Sequence, residues 1–271
     1  MKKMNLFALV CLFVGACSTA ISQDSIEIPA KEKFHLYLLV GQSNMAGRGK
    51  VTPEDKKPHE RVLMLSKDLK WVPATDPMHF DKSIAGVGLG RTFGIEMANT
   101  EPGITVGLIP CAVGGSPILA WEPGGYHEST KTHPWDDMLP RAEAALEDGT
   151  LKGILWHQGE SDSKEELAPQ YQERLHAMVA RLRKDLNAPE VPFIAGAMGN
   201  WPERPWDEWK TIVDQVHREL PKTVSNSAYV SARELPHRDM VHFTRESYIA
   251  FGKRYAKALK EVSSASGSQT R

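Results

Sequence analysis

The 271 residues carry 33 Lys and Arg against 34 Asp and Glu, a formal net charge of -1 at pH 7. That balance supplies no broad positive field, so neither nucleic acid nor an anionic membrane surface is expected as a partner. Length and a hydrophobic share of 41% allow one sizeable domain with a buried core, or two small ones.

Lys2 and Lys3 precede an apolar segment over residues 6–16. It is too short to span a bilayer and has the length of a secretory signal core. It ends Val14-Gly15-Ala16-Cys17, small residues before a cysteine, which resembles the lipobox of bacterial lipoproteins. Two outcomes stand at this point. Acylation of Cys17 would tether the protein to a membrane through lipid, whereas cleavage after Ser18-Thr19-Ala20 would release it. Residues 1–20 therefore read as a signal peptide and the protein as exported, whether periplasmic, anchored to an outer membrane or extracellular. Once the signal is removed, Cys111 is the only cysteine apart from Cys17. No internal disulfide framework is available, so the core alone must hold the fold. Residues 21–33 are polar and unperiodic, a linker.

The apolar run over 34–40 stops at Gly41 and predicts a buried strand followed by a tight turn. Ser43 then stands at the carboxyl edge of a sheet, where open α/β folds place their ligands. Ser43 and Asn44 are also residue types that cap helices. Residues 50–60 read as a solvated loop, 62–65 as a strand, and Trp71 as the start of a loop through Pro73 and Pro77. The glycines at 86, 88 and 90 introduce a helix over 91–99, with Phe93 and Met97 on one face. A dinucleotide site is not expected there. No apolar strand precedes the glycines, their spacing is not GxGxxG, and no acidic residue closes a second strand.

Residues 104–109 predict the next strand, and Ala112-Val113-Gly114-Gly115-Ser116 the turn after it. Paired glycines turn the chain, and they also let a backbone N–H approach a ligand closely. The loop that follows holds Trp121, Tyr126, His127 and His133, suited to packing or to stacking on a sugar ring. A helix over 135–148 has Leu139, Ala142, Ala145 and Leu146 as its apolar stripe and Gly149 as its stop. Then come a strand over 152–157 with its terminal turn at Gln158, a helix over 167–186, a strand over 191–197 and a helix over 207–220. A short strand over 228–230 leads to a loop containing Asp239 and His242, and a helix over 246–262 ends the domain. The Ser-rich residues 263–271 read as a disordered tail. Alternating strands and helices predict a mainly parallel sheet covered on both faces, a single three-layer α/β/α domain over 34–262.

Turns that directly follow parallel strands gather on one edge of the sheet. Three of them offer the hydroxyl of Ser43, the backbone of Gly115 and the side-chain amide of Gln158, while the loop near the end adds the imidazole of His242 and the carboxylate of Asp239. Those are the parts of acyl transfer through a covalent serine intermediate. The α/β-hydrolase fold uses the same parts differently. Its nucleophile lies mid-chain in G-x-S-x-G, whereas Ser43 follows the first strand and the second glycine is replaced by Met45. His127, His133 and His157 show no zinc spacing, so no metal or other cofactor is expected. Cys111 has no flanking charge and reads as a packed thiol.

With Gly41-Gln42-Ser43-Asn44-Met45, Ala112-Val113-Gly114-Gly115-Ser116, His157-Gln158-Gly159-Glu160-Ser161 and Asp239-Met240-Val241-His242-Phe243 in this order, the chain resembles the SGNH hydrolase superfamily. Within it, the resemblance is to carbohydrate esterases related to sialate O-acetylesterase and to acetylxylan esterases of family 6. It implies an SGNH, flavodoxin-like hydrolase fold, with Ser43 as nucleophile, His242 as general base and Asp239 orienting it. It further implies an oxyanion hole of the Ser43 N–H, the Gly115 N–H and the Gln158 side chain, with Gly114 open as the alternative glycine. Gln158 stands where the wider superfamily has asparagine, a change the carbohydrate esterase branch shares. Glu160 is left as a helper carboxylate or a turn residue. The implied partner is an acetylated oligo- or polysaccharide, with acetylxylan and O-acetyl sialate as the two substrate readings. A carbohydrate-binding protein that has lost turnover would lack Ser, His or Asp at these positions, and none is lacking.

Overall fold

Side chains of a strand alternate between the two faces of its sheet. In the computed structural model, which describes residues 26–269, the opening apolar run forms β1 (Phe34–Gly41). Phe34, Leu36, Leu38 and Val40 enter one core, and Tyr37 and Leu39 enter the other. Apolar on both faces, β1 has to lie in the middle of the sheet.

The strands are β1, β2 (Val62–Leu65), β3 (Trp71–Pro73), β4 (Thr105–Pro110), β5 (Thr150–His157), β6 (Phe193–Gly196) and β7 (Ser227–Val230). They form one seven-stranded sheet in the order β3-β2-β4-β1-β5-β6-β7. All pairs are parallel except β2 with β3. The chain starts at the centre, builds outward to β3, returns through β4, and then crosses β1 to build the other half. The carboxyl ends of β4, β1 and β5 thus flank the point where the winding reverses, the place where such sheets hold ligands.

Helices α3 (Pro134–Asp148), α4 (Tyr171–Asp185) and α5 (Glu208–Thr223) cover one face. Helices α2 (Gly90–Thr100) and α6 (Arg245–Gln269) cover the other, through Phe93 and Met97 of α2 and Tyr248, Phe251, Tyr255 and Leu259 of α6. The single turn α1 (Ser43–Ala46) follows β1 directly. This is the three-layer α/β/α architecture expected from the alternation.

Three segments depart from the sequence reading. Trp71 opens the edge strand β3 rather than a loop. Its ring packs edge-on to Phe34 at 4.6 Å, and its Nε1 donates to Asp148 at 2.7 Å, which anchors a strand too short to be recognised by alternation. Residues 263–269 continue α6 as helix instead of forming a disordered tail. The predicted linker is docked at its end, where Ile26 and Ile28 pack against the core. The signal segment and Cys17 lie outside the described residues.

Candidate active site

Gly41 ends β1 with φ +132, and a Cβ there would fall 2.2 Å from the His157 carbonyl. Only glycine permits this turn, which delivers Ser43 to the carboxyl edge of the sheet. Ser43 is 7% exposed, and its Oγ lies 3.0 Å from Nε2 of His242, 199 residues later in the chain. His242 Nδ1 is 3.0 Å from Asp239 Oδ2 and 3.1 Å from Oδ1. An ionised carboxylate only accepts, so Nδ1 carries the ring proton and Nε2 offers its lone pair to the Ser43 hydroxyl. Asp239 Oδ1 also accepts the backbone N–H of His242 at 2.8 Å and of Val241 at 3.2 Å. Partial burial pushes the Asp239 carboxyl up, but the hydrogen bonds from His242 outweigh it and hold the group below its ordinary range. Ser43, His242 and Asp239 thus form one connected row.

Beside Ser43, the turn after β4 holds the two glycines differently. The Gly114 N–H donates to Asp81 Oδ2 at 2.8 Å, and Arg48 Nη2 pairs with the same oxygen at 2.9 Å. Gly115 has φ +86, and its carbonyl accepts from Ser161 Oγ at 2.8 Å. Neither the Gly115 nor the Ser43 N–H has a hydrogen-bond partner among the described residues. Both remain available to a developing anion.

Gln158 is placed differently from expectation. It is fully buried; its Nε2 donates to the Ser116 carbonyl at 3.1 Å and to Asp162 Oδ2, and its Oε1 accepts from Tyr171 Oη at 2.8 Å. Both amide hydrogens are therefore committed, and the side chain braces the turn at Ser116 instead of offering a free N–H. The side-chain amide at the site with an uncommitted nitrogen is that of Gln42. Its Oε1 accepts from the Ser161 N–H at 3.4 Å and its Nε2 has no partner among the described residues. Sequence reasoning passed over Gln42, although its place immediately before Ser43 was the available signal.

Glu160 touches Asn44 rather than His242, with Asn44 Nδ2 donating to Oε1 at 2.6 Å. Burial pushes its carboxyl up, against the pull of its own backbone N–H, Asn44, His242 and Lys210. His157 lies behind the site, fully buried, and that burial brings its pKa down to about 3. Among the described residues no group of His, Cys, Asp or Glu is arranged to hold a metal ion. Trp121 is a core residue, edge-on to Trp156 at 5.6 Å, while Tyr126 stays 48% exposed beside His133. Burial pushes the Cys111 thiol up to about 11, which leaves it protonated and inert at neutral pH.

Comparison with known proteins places the chain in a family. Residues 33–261 match the family model described as carbohydrate esterase, sialic acid-specific acetylesterase. The chain belongs to that family. This carbohydrate esterase is 33% identical over 268 residues to an Arabidopsis thaliana protein named "Probable carbohydrate esterase", covering 90% of this chain and 96% of that one. The crystal structure of the Arabidopsis protein superposes with a TM-score of 0.73 at 31% identity, over 84% of this chain and 98% of that chain. The fold is shared with NanS, at a TM-score of 0.67 and 18% identity over 86% of this chain and 98% of that one. It is also shared with a carbohydrate acetylesterase from Xanthomonas citri, at 0.66 and 18% over 84% of this chain and 56% of that one. The SGNH esterase branch suggested by the four motifs is thus the right one.

Proposed function

We propose that this carbohydrate esterase removes O-acetyl groups from a glycan through an acetyl-serine intermediate. The observation that carries the reading is the 3.0 Å approach of Ser43 Oγ to His242 Nε2, with Asp239 on the far side of the ring. Ser43 Oγ attacks the acetyl carbonyl carbon as its proton passes to Nε2. The carbonyl oxygen, now an anion, takes the N–H groups of Ser43 and Gly115, with Gln42 Nε2 as the third donor in place of Gln158. Losing one such donor typically costs about 2.7–4 kcal/mol of barrier. When the tetrahedral adduct collapses, the C–O bond to the sugar breaks and His242 returns the proton to the departing sugar oxygen. Water, deprotonated by the same Nε2, then attacks the acetyl-serine and releases acetate. Asp239 stabilises the imidazolium in both halves.

Acetylxylan or a related plant glycan is the substrate preferred here, with O-acetyl sialate as the alternative that the family description favours. The acetyl chemistry is common to both, so only the sugar distinguishes them. Acetate release from acetylated xylan, glucomannan, pectin and sialic acid separates them. Ser43→Ala should abolish release while leaving the circular dichroism spectrum unchanged. Release that survives this change would remove Ser43 from the mechanism. We also infer that the protein acts outside the cytoplasm, from the charge and apolar pattern of residues 2–17.

A further inference from the structure

Asn44 follows the nucleophile and is fully buried, yet it does not cap the helical turn it sits in. Its side chain joins three distant segments instead. Nδ2 donates to Glu160 Oε1 at 2.6 Å and to the Val241 carbonyl at 3.1 Å, and Oδ1 accepts from Tyr248 Oη at 2.7 Å. Glu160 stands in the turn after β5, Tyr248 on α6, and Val241 immediately before His242. A carboxylate and a carbonyl only accept, so these partners determine which way the carboxamide faces.

The loop that carries His242 needs such a tie. Its Asp239 is 45% exposed, and Met240 is 44% exposed with φ +61, a left-handed conformation that disfavours a residue with a side chain. The bonds inside the loop set Asp239 against His242, but they do not set either against Ser43. Arg238 ties the loop to the Arg48 carbonyl. Asn44 makes the bond that runs directly from the nucleophile turn to the residue adjoining His242.

We propose that Asn44, oriented by Glu160 and Tyr248, is a positioning residue that sets the separation between Ser43 and His242. Glu160 then acts on Asn44 and only through it on the imidazole. This inference rests on Ser43 and His242 being nucleophile and base. With 4-nitrophenyl acetate as substrate, Asn44→Ala should lower kcat about 100-fold and leave KM unchanged, the usual penalty for a base displaced by about 1 Å. In a His242→Ala background the same change should cost nothing more, because no base remains to be placed. Glu160→Gln keeps an acceptor for Asn44 and should recover most of the rate that Glu160→Ala loses. That pair reads the tie from its other end, whether or not Asn44→Ala folds.

The inference is overturned by a kcat for Asn44→Ala within about threefold of the parent, or by an equal loss in both backgrounds, which would mark a purely structural role. It is likewise overturned if Glu160→Gln fails as badly as Glu160→Ala, since the carboxylate charge would then act on His242 directly. A His242→Ala enzyme that keeps the parental rate would instead defeat the underlying assignment of the base.

Discussion

Gln42 and Gln158 are chemically the same residue, and hydrogen bonding separates what each amide is free to do. The Gln158 carboxamide is used at both ends by Ser116, Asp162 and Tyr171, so removing it strips the buried Ser116 carbonyl of this partner and takes one bond each from Asp162, which keeps Ile118, and Tyr171, which keeps Trp156 and His217. Each unpaired buried group costs roughly 1–3 kcal/mol. Gln158→Ala should therefore lower the melting temperature markedly. Gln42→Ala should lower kcat by about 10²- to 10³-fold, as loss of an oxyanion donor does, with little change in melting temperature. Paired kinetic and thermal-melting measurements check both at once, and the reverse pattern would return Gln158 to the oxyanion hole. The candidate triad was legible at this scale because Asp239 and His242 are three residues apart on a short loop. Whether Gln158 has a free N–H could not be read, since that depends on Tyr171 and Asp162 finding it in space.

The start of α6 decides where the His242 loop ends, and one ion pair pins it. Arg245 donates from Nε to Asp55 Oδ2 at 2.8 Å and from Nη2 to Oδ1 at 2.6 Å, a bidentate fork onto a buried carboxylate. Burial pushes the Asp55 carboxyl up, yet the hydrogen bonds from Arg245 and Thr52 outweigh it and bring the group down to about 2. A carboxyl whose folded pKa lies below its unfolded value of 3.8 stabilises the fold fully above that value. The contribution is lost as pH falls through about 2. Arg245→Ala strands the buried charge, at a cost of about 3 kcal/mol. For a domain of this size that lowers Tm by on the order of 6–12 °C. Thermal melts of parent and variant should show this gap undiminished from neutral pH down to about 4 and closing between about 4 and 2. A gap that ignores pH would mean the pair contributes through packing alone. The long helices and central strands were legible because each repeats its apolar spacing over several turns or residues. The strand β3 was not, because three residues hold no period and its Trp71 is fixed by Asp148 and Phe34 from elsewhere in the chain.

Across the whole molecule, the site is a product of topology. The carboxyl ends of β1 and β4 bring Ser43 and Gly115 together, and the loop after β7 reaches back over them with Asp239 and His242. The amino-terminal segment concerns where this assembly works. If Cys17 is acylated, an inhibitor of signal peptidase II should leave the full-length precursor unprocessed in the producing cell, as seen by immunoblot. Normal maturation would favour cleavage after Ala20 and release. The sequence by itself determined the layer architecture and the residues competent for ester chemistry, because alternating apolar periods dictate a covered parallel sheet and strand-end turns fall on one edge. Only the tertiary structure decided which donors stay free, that Gly115 and not Gly114 keeps its N–H, and that Asn44 joins the Ser43 turn to the His242 loop. A hydrogen bond goes to whichever group the fold places within reach and in line, and residues nearly 200 positions apart leave no trace in local pattern of having met.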